Sequence, residues 1–423
     1  MASRPFSSSK RARQLLSMVL PGIFLLGFNI GTGSVTTMAK AGADYGMSLL
    51  WALLLSCCCT FFMINLYGRF TLVTGQTALQ AFKQHIHPWV SLFFIFALGV
   101  GVCGSVMGVM GIVADICYRW SLVWTDEGIH PVWFSLFFIT LVYVIFWRGN
   151  TRFFERFLAI VVAIMSACFL LNAFLLLPTP ESIVSGLIPR LPSISAYSAE
   201  SPLLVTASLI GTTVFSGLFI IRTTLVKEAG WTLAHYANQR NDAAFSVVLM
   251  FVISASIMAA SAGTLHIAGT PLINAAQMIE LLEPLAGQFA VSLFATGLVA
   301  AGVSSQFPNV LMLPWLICDY SGTPRDMTLM KFRLLVFGVS LLGLVVPIFN
   351  ARPVLVMIVS QALNAVILPL TVVCILYLSN CKSLMGQYRP NTLQNLILIA
   401  ILLFSIFTAY LGLSGVWQML MPT

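Results

Sequence analysis

Apolar residues in this chain neither alternate nor keep to one helical stripe; they run on. The stretch FLAIVVAIMSACFLLNAFLLL (157–177) is typical. Eleven such stretches occur, approximately 14–41, 46–68, 88–117, 131–147, 153–177, 202–226, 244–268, 287–318, 332–349, 353–379 and 393–417. A helix crossing a hydrocarbon core needs about 20 apolar residues, so each is read as a membrane span. An outer-membrane barrel is excluded, because its strands would alternate apolar and polar residues in segments of about ten. The expected class is an all-α polytopic membrane protein.

Polar segments divide the spans. Residues 1–13 form a basic tail, read as cytosolic and leading into an uncleaved first helix. The first five spans fill 14–177, a Pro- and Ser-rich loop covers 178–201, five more spans fill 202–379, and a last helix lies within 380–423. The connection 229–243 is polar, and 273–285 has apolar residues at helical spacing with Glu280 and Glu283, as in an interfacial helix.

Composition agrees: 59% of the 423 residues are apolar and 8% charged, against roughly 25% charged in soluble domains. The formal charge of +8 does not mark a nucleic-acid binder, since the basic residues are scattered through short loops and form no basic face. They sort by side instead. With the N-terminus inside, sixteen Lys and Arg fall in cytoplasmic segments and three (Arg119, Arg190, Arg352) outside, which follows the positive-inside rule and puts the C-terminus outside. A bacterial inner membrane suits this pattern. The nine cysteines show neither zinc spacing nor paired loop positions and read as packing residues.

Two spans contain interruptions that a lipid-facing helix does not need: Asn29-Ile30-Gly31-Thr32-Gly33-Ser34 in the first and Phe215-Ser216-Gly217 in the sixth. Glycine costs about 1 kcal/mol in a helix interior. The first and sixth spans each head a five-helix set, the place where inverted-repeat transporters break their helices.

The residues also carry a family likeness. Ala41-Gly42-Ala43-Asp44-Tyr45-Gly46-Met47-Ser48-Leu49-Leu50-Trp51 followed by Gly68-Arg69-Phe70-Thr71-Leu72-Val73-Thr74-Gly75, then Ile210-Gly211-Thr212-Thr213-Val214, Ala300-Ala301-Gly302-Val303-Ser304-Ser305, and Ser360-Gln361 with Leu368-Pro369-Leu370, resemble Nramp-type transporters in the right order from about residue 15 to 375. The resemblance implies a LeuT-type fold: two inverted five-helix repeats plus one extra helix. It also exposes departures. Where that family carries Asp-Pro-Gly-Asn this chain has Gly31-Thr32-Gly33-Ser34, and where it carries Met-Pro-His-Asn this chain has Phe215-Ser216-Gly217-Leu218. Ser105 and Gly108 stand where the family has proton-path acids, and Arg222 replaces a histidine.

All thirteen acids fall in loops or near span ends, so no carboxylate is left at the midplane for a transition metal or a hard dication. Resuming helices present positive dipole ends and unbonded amides, which suit an anion. The substrate set read from this is Gly31, Thr32, Gly33, Ser34, Thr213, Phe215, Ser216, Gly217, Arg222 and Gln361, with Thr212 and Asn364 as further polar candidates. Arg222 has two readings, reinforcing the field or snorkelling to the inner interface; Lys40 reads as snorkelling to the outer one. Phe215 either narrows the site or packs in the core.

Ser304 and Ser305 with carbonyls at Asn29 and Ile30 resemble the sodium site of LeuT-fold transporters. The expected function is sodium-coupled uptake of a small inorganic or carboxylate anion, bicarbonate first, with no resident cofactor beyond the coupling ion. Transport of manganese, iron or magnesium, and a non-transporting sensor or scaffold, remain as alternatives. An enzyme is disfavoured because no nucleophile, base and acid share one depth.

Overall fold

The computed structural model describes residues 31–122, 125–149, 178–193, 200–274 and 283–421, together with residue 277 and a few positions between 160 and 171. The first half of the first span, most of the fifth, and much of 273–285 lie outside the described residues. Thirteen helices are used below: α1 Thr32–Tyr45, α2 Leu50–Thr74, α3 Ala78–His85, α4 Pro88–Ser121, α5 Pro131–Arg148, α6 Pro180–Gly186, α7 Pro202–Thr213, α8 Ser216–Glu228, α9 Tyr236–Ser261, α10 Glu283–Ser321, α11 Met330–Leu341, α12 Pro353–Asn380 and α13 Thr392–Leu420. Short helical turns carry α11 on through Val345–Phe349. Among the described residues there is no strand, and eight helical stretches are long and apolar enough to cross a membrane.

Helix starts follow local chemistry. Proline occupies the first turn of α4, α5, α6, α7 and α12, where its missing N–H costs nothing. Side chains cap several: Ser201 accepts from Leu204 N ahead of α7, Thr77 from Gln80 N ahead of α3, and Asn391 with Gln394 forms a capping box ahead of α13. The polar segment 229–243 is not a loop throughout. Thr232 opens a 3₁₀ turn at Leu233–His235, and α9 begins at Tyr236, so Gln239 and Asp242 ride on a helix and are buried. Hydropathy missed those turns because their polar side chains face protein rather than lipid.

The broken spans form the centre. Every residue from Leu204 to Thr223 is buried, as is all of α1 except Gly33. The outer helices show their apolar side chains to lipid: Trp133 and Phe137 on α5, Leu396, Leu403 and Tyr410 on α13. Lipid gives little hydrophobic drive for helix association, so close packing and hydrogen bonds hold such a bundle together. Gly211 illustrates the packing: a Cβ there would lie 2.1 Å from the Gln361 carbonyl oxygen on α12. Tyr67 donates to the Thr371 carbonyl at 2.9 Å, Thr60 to the Thr213 carbonyl at 2.8 Å, and Ser261 to the Ala39 carbonyl at 2.6 Å.

Neither charge left inside the spans snorkels. Lys40 is fully buried; its Nζ pairs with Asp44 at 2.9 Å and with Glu200, and donates to the Leu272 carbonyl at 2.8 Å. It therefore ties α1 to the segment entering α7 and to the one leaving α9. A buried charge needs such partners to be tolerated. Arg222 is likewise fully buried and is described with the site.

Gly211→Ala is expected to lower stability by about 1–3 kcal/mol, the usual cost of overpacking, because the backbone carbonyl it meets cannot swing away. Thermal unfolding in detergent checks this; an unchanged midpoint would show that α7 and α12 can separate freely.

Candidate substrate site

The first described turn of α1 is built around Gly31, whose extended backbone (φ −85°, ψ 178°) caps the helix with no side-chain hydrogen bond. The first intrahelical bond runs from Val35 N to the Gly31 carbonyl, at 3.1 Å. Amides ahead of it point out of the helix end, carrying the positive end of its dipole. Thr32 N meets the Ser305 hydroxyl at 3.3 Å. The sixth span is interrupted: α7 stops at Thr213, Val214 and Phe215 leave helical geometry, and α8 restarts with Phe215 as an N-cap that makes no side-chain capping hydrogen bond.

The start of α1 and the break in the sixth span open onto one cavity of about 50 Å³. At roughly 10–15 Å³ per water-sized occupant, that is room for a few small groups. Gly31, Gly33 and Ser34 line it from the first span, Thr212 and Phe215 from the sixth, Gly101, Val102, Ser105 and Val109 from α4, Ser305 and Asn309 from α10, and Met357, Gln361 and Asn364 from α12. None of these side chains ionises as an acid or a base, and no cluster of three His, Cys, Asp or Glu able to hold a metal occurs among the described residues.

A hydrogen-bonded chain of neutral groups makes up much of the wall. Ser34 and Thr212 hydroxyls lie 3.0 Å apart, joining the two broken spans directly. Gln361 Nε2 donates to Ser105 Oγ at 3.3 Å and lies 3.5 Å from Met357 Sδ. Asn364 Nδ2 donates to Gln361 Oε1 at 3.2 Å, while Asn364 Oδ1 is buried with no hydrogen-bond partner. Ser105 and Ser360 hydroxyls, 3.1 Å apart, extend the chain between α4 and α12.

Of the residues expected to bind substrate, Gly31, Gly33, Ser34, Phe215 and Gln361 line the cavity, as does Ser305 from the expected ion site. Others serve the surrounding frame. Thr213 donates its hydroxyl to the Leu209 carbonyl, Ser216 accepts from Thr371 Oγ1 at 2.8 Å, and Ser304 donates to the Ala301 carbonyl at 3.0 Å. Thr32 does not line the cavity; its amide donates to Ser305, which does, and its hydroxyl is buried without a hydrogen bond. Gly217 lies behind Phe215; a Cβ there would meet the ring at 2.5 Å. Asn29 and Ile30 lie outside the described residues.

Arg222 requires a correction. It neither lines the cavity nor reaches the interface: its guanidinium pairs with Asp242 of α9 at 2.6 Å, approaches the Gln239 carbonyl at 3.5 Å, and stands over the Trp231 ring at 5.6 Å. Asp242 lies on a helix and not in a loop; the polar start of α9 carries no hydropathy signal. Lining residues that went unnoticed include Asn309 and Met357. Helical spacing could have found them, since they lie four positions after Ser305 and four before Gln361 and so share their faces.

The sequence profile of the family described as Natural resistance-associated macrophage protein-like, Nramp, matches residues 23–414. The chain belongs to the Nramp family. A protein of Nostoc sp. named Divalent metal cation transporter MntH is 23% identical, across 97% of this chain and 93% of its own length. One of the same name from Acidiphilium cryptum is 24% identical over 84% and 80%. Among solved structures, a manganese transporter of Eremococcus coleocola with an aromatic bis-isothiourea compound superposes at a TM-score of 0.73, covering 98% of this chain and 88% of that one at 16% identity. MhsT in complex with L-phenylalanine superposes at 0.58, over 95% and 98%, at 15% identity. This Nramp protein is an integral membrane protein with a LeuT-type fold.

Arg222→Met is expected to cost about 3–5 kcal/mol by stranding buried Asp242, and Arg222→Met with Asp242→Leu to recover most of it. Thermal unfolding of the two variants checks this. A double variant no more stable than the single one would mean that Arg222 answers to another group.

Proposed function

We propose that this Nramp-family transporter moves a small anion by alternating access, with bicarbonate as the substrate and sodium as the coupling ion. The observation that carries the reading is the cavity itself: two half-helix N-termini meet there, and no lining side chain bears a charge. A divalent cation held in it would meet no anionic ligand, and desolvating an uncompensated charge in a membrane interior is costly. An anion instead gains from the amides at the starts of α1 and α8 and from the hydroxyls of Ser34 and Thr212, whereas the Ser305 hydroxyl donates to the Ala301 carbonyl at 2.7 Å. Bicarbonate has a further match. Its carboxylate end accepts hydrogen bonds, and its hydroxyl can donate to an acceptor such as Asn364 Oδ1, which lacks a partner.

Sodium coupling rests on a narrower footing. Ser305 offers a hydroxyl oxygen beside the first-span break, and oxygen ligands without a carboxylate suffice for a monovalent cation. Its charge would offset that of the anion during the rocking of one repeat against the other.

A second reading is divalent metal transport, favoured by relatives named Divalent metal cation transporter MntH and by the lining itself. Met357 supplies a thioether, and Asn309, Gln361 and Asn364 supply amide oxygens. Thioether suits soft metals, while oxygen ligands suit manganese and magnesium.

Flux into proteoliposomes separates the two. Labelled bicarbonate uptake is expected to saturate and to rise with an inward sodium gradient; gradient-independent uptake would remove the coupling. Saturable manganese or magnesium uptake, with no bicarbonate flux, would replace the anion reading. Gly33→Ala puts a Cβ 3.0 Å from Gln361 Nε2 and 3.3 Å from Met357 Sδ. It is expected to lower substrate flux roughly tenfold, as a loss of about 1.4 kcal/mol would, in a protein that still purifies as a folded species. Wild-type flux in this variant would mean that substrate passes elsewhere.

A further inference from the structure

A second cleft, of about 160 Å³, opens where α2, α9 and α13 diverge. It is separate from the central cavity and shares none of its lining residues. Arg69 on α2 and Arg240 on α9 line it, with Tyr236 of α9 and with Asn65, Phe61 and Phe62 one to two turns along α2 from Arg69. We propose that this cleft binds the phosphodiester headgroup of an anionic phospholipid.

Charge is the first support. Among the described ion pairs none includes Arg69 or Arg240, and no carboxylate lines the cleft. The nearest recorded partner of Arg69 is neutral: its guanidinium donates to Gln394 Oε1 of α13 at 3.4 Å. Two guanidinium groups left without a counter-ion in one concavity match a phosphate, whose oxygens accept paired N–H donors. Tyr236 adds a hydroxyl, and Asn65 Oδ1, buried without a partner, is an acceptor for a headgroup hydroxyl.

The apolar wall decides between lipid and free anion. Phe61, Phe62 and Leu66 have nothing to offer inorganic phosphate. The helices on either side also carry apolar side chains exposed to the bilayer, Phe245 and Val248 on α9 and Leu396 and Leu403 on α13. A headgroup held by the arginines would leave its acyl chains along that surface. Both arginines lie at the end of the bundle where the sequence gathers its Lys and Arg, the leaflet at which juxtamembrane basic residues attract anionic lipids.

Native mass spectrometry of the full-length protein tests this, with phosphatidylglycerol and phosphatidylcholine as probes. Wild type is expected to retain phosphatidylglycerol about thirtyfold over phosphatidylcholine, the size of effect that two interfacial arginines supply. Arg240 is exposed, so Arg240→Gln should leave the fold intact and lower retention about fivefold; Arg69→Gln with Arg240→Gln should abolish the preference. Equal retention of the two lipids by wild type, or undiminished retention by Arg240→Gln, overturns the proposal. So does a thermal midpoint raised as far by inorganic phosphate as by phosphatidylglycerol, because the site would then read a free anion and leave its apolar wall idle.

Discussion

A backbone amide or carbonyl without a partner costs several kcal/mol in the interior of a bilayer, yet this chain interrupts its sixth span beside the point where α1 begins. That constraint organises the bundle. The broken segments have to be shielded from lipid, so α1, α7 and α8 occupy the centre and are buried almost throughout. Their loose ends have to be met by polar groups, and α2, α4, α10 and α12 supply them. Thr60 takes the carbonyl of Thr213, Ser305 meets the amide of Thr32, and Gln361 with Ser105 and Asn364 completes the wall. What remains unfilled is the cavity. The candidate site is thus the residue of a backbone problem that the fold solves only in part.

Charge obeys the same economy. The two cations inside the spans sit away from the cavity, each with a carboxylate from another part of the chain: Lys40 with Asp44 and Glu200, Arg222 with Asp242. Such pairs contribute little net stability against apolar replacements, but breaking one is expensive. They fix which segments may lie together, joining α1 to the entrance of α7 and α8 to α9.

The fold was largely legible in the chain. Spans 88–117, 131–147, 353–379 and 393–417 recur as α4, α5, α12 and α13 within a few residues, because a lipid-facing helix must be apolar along its length. Legibility failed where a helix faces protein instead. The first turns of α9 read as a loop because Gln239 and Asp242 are polar, and their burial depends on a partner, Arg222, seventeen residues or more away in sequence. The sixth-span break was readable from glycine and hydroxyl residues at mid-span, and five of the ten expected substrate residues line the cavity. Of the hydroxyls that do not, Thr213 and Ser304 donate to carbonyls of their own helices and Ser216 accepts from Thr371 of a neighbouring one. Hydroxyls that bond their own frame and hydroxyls that face a ligand have the same sequence signature.

The uncharged wall has an electrical consequence. Moving one elementary charge through a membrane potential costs about 2.3 kcal/mol per 100 mV. In the alternating-access cycle proposed above, the empty cavity moves with no formal charge on any of its lining side chains. Membrane voltage then has no purchase on the return stroke through these groups and acts on whatever ions are aboard, so the cargo, rather than the carrier, sets how strongly the cycle responds to potential.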